Sequence, residues 1–341
     1  MATVFDVAQR AGVSATTVSR VLLGRNIVTP EKRARVLEAA AALGYQPNPM
    51  AQGLRTGRGH SVALLVGDIE QNIYSALTKH VQAAFESIGL ELLLFNLGHR
   101  EDRLRGLLER AAALRLRGIC IASSDVIPVR ELKPLMRDLA EKHIPVLALN
   151  QRLDGLGVPS VAHDDQEGTA RAVRQLIRSG RAPVAYLGRI KHSATGRERF
   201  RGYQTALAEA GIAESPDLVW ESGQRYRYEA GYEEMSRALD RGIKVRGVFG
   251  ASDELALGAM AAALDRGLRV PGDIAFVGFG GIGWGAHVRP SLTTIAGDWA
   301  AFGRRVSDIF LALDEGRPVP RRTVIETTLV ERQSTGPGPT R

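Results

Sequence analysis

Residues 3–54 read TVFDVAQRAGVSATTVSRVLLGRNIVTPEKRARVLEAAAALGYQPNPMAQGL, and this stretch decides how the chain begins. Val4, Val7, Ala8 and Ala11 recur at helical spacing and predict a helix over 4–11. Gly12 supplies the turn. Ser14 is placed to cap a second helix over about 15–22, with Val18, Val21 and Leu22 on its inward stripe. Thr29, Pro30 and Glu31 form a helix start signal: a cap, a proline at the first position and an acid at the positive dipole end. The third helix carries Val36, Leu37 and Ala40 inward and stops at Gly44. Helices this short are unstable alone, so their apolar stripes must face one another. Such a bundle is the pattern of a helix-turn-helix DNA reader.

Charge agrees with that reading. Residues 1–60 hold eight Lys/Arg against three acids, a balance of +5, which leaves +3 for the other 281 residues. A basic end on a near-neutral body favours a polyanion there, unless the charge merely solvates a surface. Pro47 and Pro49 prevent helix three from continuing; Pro49 can open a short new helix over 50–55, followed by a Thr56-Gly57-Arg58-Gly59 linker.

From Ser61 the pattern changes to alternating strands and helices. SVALLVG, LELLLFN, GICIAS and PVLALN are continuous apolar runs, as in strands buried on both faces of a parallel sheet. Helices are expected between them near 73–88, 101–115 and 132–142. The alternation then repeats with VAYLG, DLVWE, RGVFG and DIAFVGF, and helices near 168–178, 197–210, 228–241 and 254–266. Two βα halves of similar size predict an α/β core of two doubly wound parallel-sheet subdomains with a cleft between them. A last helix, about 299–313, and a strand, 322–330, return to complete the sheets. The expected divisions are a headpiece at 1–46, a hinge at 47–59, and a core at 60–332. Within the core, subdomain one takes 60–162 plus 293–325 and subdomain two takes 163–292 plus 326–332. A Gly/Pro-rich disordered tail follows at 333–341.

Other chemistries find little support. The seven histidines are scattered without metal-ligand spacing, the single Cys120 sits in an apolar strand, and neither a GxSxG elbow nor a P-loop occurs. No metal and no cofactor are expected. The N-terminus shows no basic-then-apolar signal segment and no run approaches the ~18 apolar residues of a membrane helix, so the expectation is a cytoplasmic protein without membrane partners. One loop imitates a dinucleotide site: Gly278-Phe-Gly280-Gly-Ile-Gly283 follows a strand, with Asp298 about twenty residues on. Trp284-Gly-Ala-His is a poor helix start, however, and Pro290 interrupts the unit, which favours a glycine-rich cleft loop.

DVAQRAGVSATTVSRVL (6–22) and LGYQPNPMAQGL (43–54) resemble the lactose-repressor (LacI-type) family of transcription regulators. Weaker matches are Asn72-Ile73-Tyr74, IPVLALNQR, Arg199-Phe-Arg-Gly202-Tyr203, ASDELALG, RVPGDIAFVGF and PSLTTI, so the likeness runs from Thr3 to about Arg332. The resemblance implies a helix-turn-helix headpiece, a hinge helix that orders on operator DNA, and a periplasmic-binding-protein-like core. It also implies a homodimer on a pseudo-palindromic site. Some members carry a C-terminal heptad helix that makes tetramers; here the chain reads GPGPTR, so a dimer is expected. The implied DNA-binding positions are Thr3, Ser14, Ala15, Thr16, Thr17, Ser19, Arg20, Asn26, Thr29, Asn48, Ala51, Leu54 and Arg55. Ala15 and Thr16 offer a methyl and a hydroxyl to base edges, and Arg20 either takes guanine through two hydrogen bonds or holds phosphate. Ser14 and Thr29 donate to phosphate or serve only as caps. In the family, the leucine matching Leu54 wedges into the minor groove; ordinary packing is the rival role. Gly53 within that hinge helix costs roughly 1 kcal/mol against Ala.

The implied effector-binding positions are Asn72, Tyr74, Asn150, Arg199, Tyr226, Ser252, Asp253 and Gly280. Arg199 is a fork donor for sugar oxygens or a carboxylate. Tyr226 is either a platform for a sugar face or a core tyrosine, and Asp253 is either a ligand contact or the cap of the next helix. Sugar-binding members often carry two aspartates where this chain has Gly280-Gly281, while Arg152, Arg189, Lys191, Arg197, Arg199, Arg225 and Arg227 gather in predicted cleft loops. That balance points toward a sugar acid or sugar phosphate as well as a neutral sugar. The expected function is therefore a ligand-responsive regulator, a repressor of carbohydrate or sugar-acid genes and not an enzyme. A transport-type sugar-binding protein and a nucleotide-cofactor enzyme are the alternatives.

Overall fold

The computed structural model describes residues 2–22, 28–45, 59–223 and 226–336. They divide into two compact units, 1–60 and 61–341.

The first unit holds α1 (Val4–Ala11), α2 (Ala15–Leu22) and α3 (Pro30–Ala42). Thr3 opens α1 with a capping box: its hydroxyl accepts from the Asp6 N–H, and the Asp6 carboxylate accepts from the Thr3 N–H at 2.7 Å. Gly12 ends α1 at φ 60°, a left-handed conformation that glycine adopts without Cβ strain. Val7, Ala8, Ala11, Val18, Val21, Val36, Ala39 and Ala40 form the small core. Leu37, expected inward, is 50% exposed, because the α3 stripe that faces its partners runs through Val36, Ala39 and Ala40. Arg35 ties α3 to the turn by donating from Nη2 to the carbonyls of Ala11 at 2.7 Å and Gly12 at 3.1 Å.

The second unit is built on two six-stranded sheets. In chain order its elements are β1 (Ser61–Val66), α4 (Ile73–Ser87), β2 (Glu91–Asn96), α5 (Glu101–Arg110), β3 (Gly118–Ala122), α6 (Val129–Glu141), β4 (Val146–Leu149) and β5 (Ser160–His163). There follow α7 (Asp165–Arg178), β6 (Val184–Gly188), α8 (Ala194–Glu209), β7 (Val219–Glu221), α9 (Tyr228–Asp240), β8 (Gly247–Gly250), α10 (Asp253–Asp265) and β9 (Ala275–Phe279). The chain closes with β10 (Thr293–Gly297), α11 (Trp299–Asp314), β11 (Arg322–Ile325) and β12 (Thr327–Val330). Sheet one runs β11-β5-β4-β3-β1-β2, all parallel among these pairs. Sheet two runs β12-β10-β9-β8-β6-β7, parallel except for β12 on β10. Burial of the Val/Leu/Ile-rich strands on both faces drives this arrangement. Cys120 lies fully buried in β3, where burial pushes its thiol pKa up.

Four expectations need correction. The subdomain boundary drawn at 293 falls instead after Gly297, because β10 hydrogen-bonds to β9 and β12 and so belongs to sheet two. The expected single strand 322–330 is two strands, interrupted at Glu326, that join different sheets on either side of the division drawn between 325 and 326. LELLLFN is not buried on both faces: β2 is the edge of sheet one, with Leu93 40% and Leu94 39% exposed. The disordered tail expected over 333–341 does not hold for residues 333–336. Ser334 is fully buried, exchanges bonds with the Phe276 backbone and accepts from the Thr293 N–H at 2.8 Å; residues 337–341 lie outside the described residues.

Candidate nucleic-acid interface and ligand cleft

On α2, Val18 and Val21 point into the headpiece core, while Thr16 and Arg20, one helical turn apart, are exposed. Ala15, Thr17 and Ser19 are half-buried between them. The Ser14 hydroxyl accepts the Thr17 N–H at 3.2 Å and sits 2.9 Å from the Thr17 hydroxyl, so this pair fixes the first turn of α2. Thr3 spends its hydroxyl on Asp6 at 2.8 Å. Thr29 stands at the N-cap of α3 with extended backbone, but its side chain makes no capping bond. It helps hold the Glu31 carboxyl low, after the Glu31 backbone N–H. Asn26, Asn48, Ala51, Leu54 and Arg55 lie outside the described residues.

The cleft of the second unit contains a cavity of about 70 Å³ at the carboxyl ends of strands from both sheets. Tyr74 and Leu77 of α4, Ser123 and Ser124 after β3, and Asn150 after β4 form one wall. Arg199 of α8, Tyr226, Ser252, Asp253 and Phe279 form the other. Six of the eight expected effector positions therefore meet at one cavity.

Arg199 is held on three sides. Nε donates to Asp165 at 2.8 Å, Nη1 to the Ala251 carbonyl at 2.5 Å, and the guanidinium lies 3.8 Å over the Phe279 ring. Burial raises the Asp165 carboxyl and the neighbouring Arg199 opposes it. Asn150 turns its oxygen to the His163 N–H at 3.0 Å and to Nδ1 at 3.1 Å, which leaves its amide group for the cavity. Because both His163 atoms face an oxygen, Nδ1 is the protonated nitrogen. Burial, then Arg199, lowers the His163 pKa to about 4. Ser252 caps α10 by accepting from the Leu255 N–H at 3.2 Å. Asp253 does not cap that helix. It accepts from the Ile282 N–H at 2.7 Å and from the Thr294 hydroxyl, and burial outweighs both bonds to raise its carboxyl to about 6. Gly278 permits this placement, since a Cβ there would sit 2.2 Å from Asp253 Oδ1. The glycine-rich loop therefore packs around a carboxylate. It continues into a 3-10 turn over Gly283–Ala286 with no helix to receive a pyrophosphate, and Asp298 caps α11.

The family follows from direct comparison. Residues 3–48 match the model for bacterial regulatory proteins of the lacI family, and residues 173–335 match a periplasmic binding protein-like domain. The chain is 33% identical over 340 residues to the HTH-type transcriptional regulator GalR of Escherichia coli (strain K12), covering 98% of this chain and 96% of that one. The chain belongs to the LacI family. Catabolite control protein A of Priestia megaterium is 31% identical over 86% of each chain. Among solved structures, the lac repressor dimer bound to operator and the anti-inducer ONPF superposes with TM-score 0.86 at 26% identity, covering 98% of this chain and 99% of that one. A transcriptional regulator CelR-cellobiose complex gives 0.72 at 30% identity, covering 98% and 100%. This LacI-family chain is thus a DNA-binding transcriptional regulator, and its relatives are regulators, not enzymes.

Two positions expected in the family's effector set stand elsewhere. Asn72 does not line the cavity: its N–H and side-chain amide both donate to Glu254, at 2.9 and 2.6 Å. Gly280, at φ 131°, turns the chain behind Asp253 and donates its N–H to Ile295 at 2.8 Å. Tyr226 is 5% exposed, with its hydroxyl committed to Ser193 at 2.8 Å, so only its ring faces the cavity. Of the seven basic residues expected around the cleft, Arg199 alone lines this cavity; Arg225 lies outside the described residues. Sequence reasoning missed Ser123, Ser124, Thr195 and Glu254. The serines follow GICIA at a strand's carboxyl end, the same signal that found Asn150.

Proposed function

We propose that this regulator is a repressor of carbohydrate genes that binds a pseudo-palindromic operator as a homodimer, and that a neutral sugar in the cleft sets its operator affinity. The observation that carries the reading is a cavity walled by both subdomains in a chain that also bears a helix-turn-helix headpiece. An occupant touching Tyr74 and Asn150 on one side and Arg199 and Asp253 on the other stabilises one relative arrangement of the subdomains by its differential affinity. In the proposed mechanism that arrangement sets the spacing of paired headpieces against the half-sites.

Charge selects the ligand class. The cavity's arginine is balanced by the carboxylate of Asp165, and Asp253 and Glu254 add acceptors. Carboxylates and amides that pair with hydroxyls, set beside apolar Leu77, Leu149 and Phe279, suit a polyol with a nonpolar ring face. A sugar acid or phosphate would meet no uncompensated cation among the described lining residues. The exposed Leu93 and Leu94 on edge strand β2 give a partner copy apolar area to cover. The hinge, with Leu54 as a minor-groove wedge, is the proposed link to DNA bending. A regulator acting on chromosomal DNA works in the cytoplasm.

A thermal-shift screen of the full chain against D-glucose, D-galactose, gluconate, galacturonate and glucose 6-phosphate tests the ligand class. Binding at a hundred times Kd stabilises by about 2.7 kcal/mol. A neutral sugar is expected to raise the melting temperature; a rise confined to the acids and the phosphate would contradict the neutral-ligand assignment.

A further inference from the structure

Three loops at the carboxyl ends of neighbouring strands in sheet one set an imidazole between two carboxylates. Asp68 follows β1, His99 follows β2 and Asp125 follows β3. The His99 N–H donates to the Gly67 carbonyl at 3.1 Å, which ties the two loops together. On the ring, Nδ1 lies 2.9 Å from Asp125 and Nε2 lies 3.6 Å from Asp68. Each carboxylate also meets a guanidinium from subdomain two. Arg189, after β6, donates to Asp125 at 2.7 Å; Arg227, before α9, lies 3.5 Å from Asp68 and pairs with Glu70. His99 therefore stands at the junction of two cross-cleft links. Its side chain keeps 24% of its surface, so protons can reach it from solvent.

Burial raises the Asp125 carboxyl, but the bonds and charges of His99 and Arg189 outweigh burial and hold it below the ordinary value. A neutral ring that gives Nδ1–H to Asp125 turns a lone pair toward Asp68; a protonated ring presents N–H to both. The rest of the surroundings decides between the two. With the subdomains joined, the carboxylates of Asp68, Glu70 and Asp125 are offset by the guanidinium groups of Arg189 and Arg227. Arg100 is paired with Asp102, and Glu101 and the subdomain-two His192 line the same cavity as His99. When the subdomains part, Arg189, Arg227 and His192 leave together, whereas Arg100, Glu101 and Asp102 move with His99. The ring is then left with its carboxylates, without the cross-cleft cations, and in fuller contact with water. Both changes favour the charged imidazole.

We propose that His99 is a proton-operated release for the cleft: protonation of its ring loosens the Arg189 and Arg227 links, so that opening takes up a proton and acidification shifts the chain toward the open arrangement. An ordinary imidazole changes charge between about pH 5 and 8, which sets the range to search. The release depends on the charges at the cleft mouth and not on what occupies the inner cavity, so it stands or falls apart from the sugar reading.

Energy transfer between dyes on Ala113→Cys and Ala213→Cys tests it in the full-length protein, because these exposed positions lie in different subdomains and native Cys120 is buried. Labelled chain is diluted into unlabelled chain, so that transfer within one chain is read. At constant ionic strength the ratio of open to closed molecules is expected to rise at least about fivefold from pH 8 to pH 6, where linkage to one proton allows up to about tenfold per pH unit. His163 titrates near 4 and stays neutral across this range. His99→Asn, which suits the left-handed backbone at φ 59°, is expected to cut the response to below about twofold. His192→Gln, at the exposed rim, is expected to keep it. A flat or reversed profile in the wild type overturns the release by itself. So does a response that survives His99→Asn or disappears in His192→Gln.

Discussion

Asn72, at the start of α4, reaches across the cleft and gives both its backbone N–H and its side-chain amide to the Glu254 carboxylate, at 2.9 and 2.6 Å. The two residues belong to different subdomains, so this contact latches the closed arrangement. Arg227 makes a parallel link to Glu70 and Asp68. Burial raises the carboxyl of buried Glu254, and the two Asn72 bonds, with the charge of Arg227, oppose that shift. Asn72→Ala removes one of the two donors. Losing a hydrogen bond to a charged group costs about 1.5–3 kcal/mol, and the cost falls on the closed state. Titration calorimetry is expected to show sugar Kd raised about tenfold, chiefly through faster dissociation; an unchanged Kd would mean that the latch does not report on closure.

Arg199 and Asp165 form a buried pair in which each is the other's main compensation. Arg199→Ala leaves the carboxylate buried and unpaired, a change that typically costs 3–5 kcal/mol. The variant is expected to lose sugar binding and to melt several degrees lower, while keeping operator binding at low temperature. Adding Asp165→Asn should recover part of the stability and none of the sugar affinity. Recovery of both would show that Arg199 is structural only.

Asp253 and His163 make opposite contributions to the pH dependence of stability. The folded Asp253 keeps its proton up to about pH 6 against an ordinary 3.8, so its contribution is present at low pH and is lost as pH rises through that window. The folded His163 titrates near 4 against 6.5, so its contribution is present above 6.5 and is lost as pH falls toward 4. Asp253→Asn removes the first effect and leaves the second. Urea unfolding is expected to show the variant gaining on the wild type between pH 4 and 6.5, by up to about 3 kcal/mol. A pH-independent difference between the two proteins would mean that Asp253 ionises normally in the fold.

Leu54 lies in the segment proposed as the hinge, and its proposed role separates DNA binding from ligand binding. Leu54→Ala is expected to weaken operator affinity at least tenfold and to leave the Kd for sugar unchanged. Fluorescence anisotropy and calorimetry on the same preparation check both halves, and an unaltered operator affinity would remove the minor-groove wedge.

Much of this architecture is legible in local patterns. The periodic valines and alanines of 4–22, the left-handed Gly12 and the Pro30 start place the headpiece helices because short helices depend on one apolar stripe. Arg199, Asn150 and Ser252 are found by motif and by the carboxyl-end rule for open sheets. What is not legible in the sequence depends on tertiary partners. LELLLFN has a buried-strand composition, and only the strand order makes it an edge. SVAH at 160–163 is too short to stand out, although it is the strand that carries His163 beneath Asn150. The placement of β10 in sheet two, and the burial of Ser334 against Phe276, are long-range pairings with no local signal. Asn72 lies in the region its motif indicates, but its donors go to Glu254, because a residue beside a ligand cavity can equally well bond the opposite wall.

The coupling of cleft to headpiece is tested most directly by one titration: anisotropy of a labelled symmetric operator duplex with the full-length protein, with and without the sugar that raises its melting temperature. The account predicts salt-sensitive binding whose Kd changes at least tenfold when the sugar is added, and no such change on a scrambled duplex. An operator Kd that stays the same with the cleft saturated would contradict it.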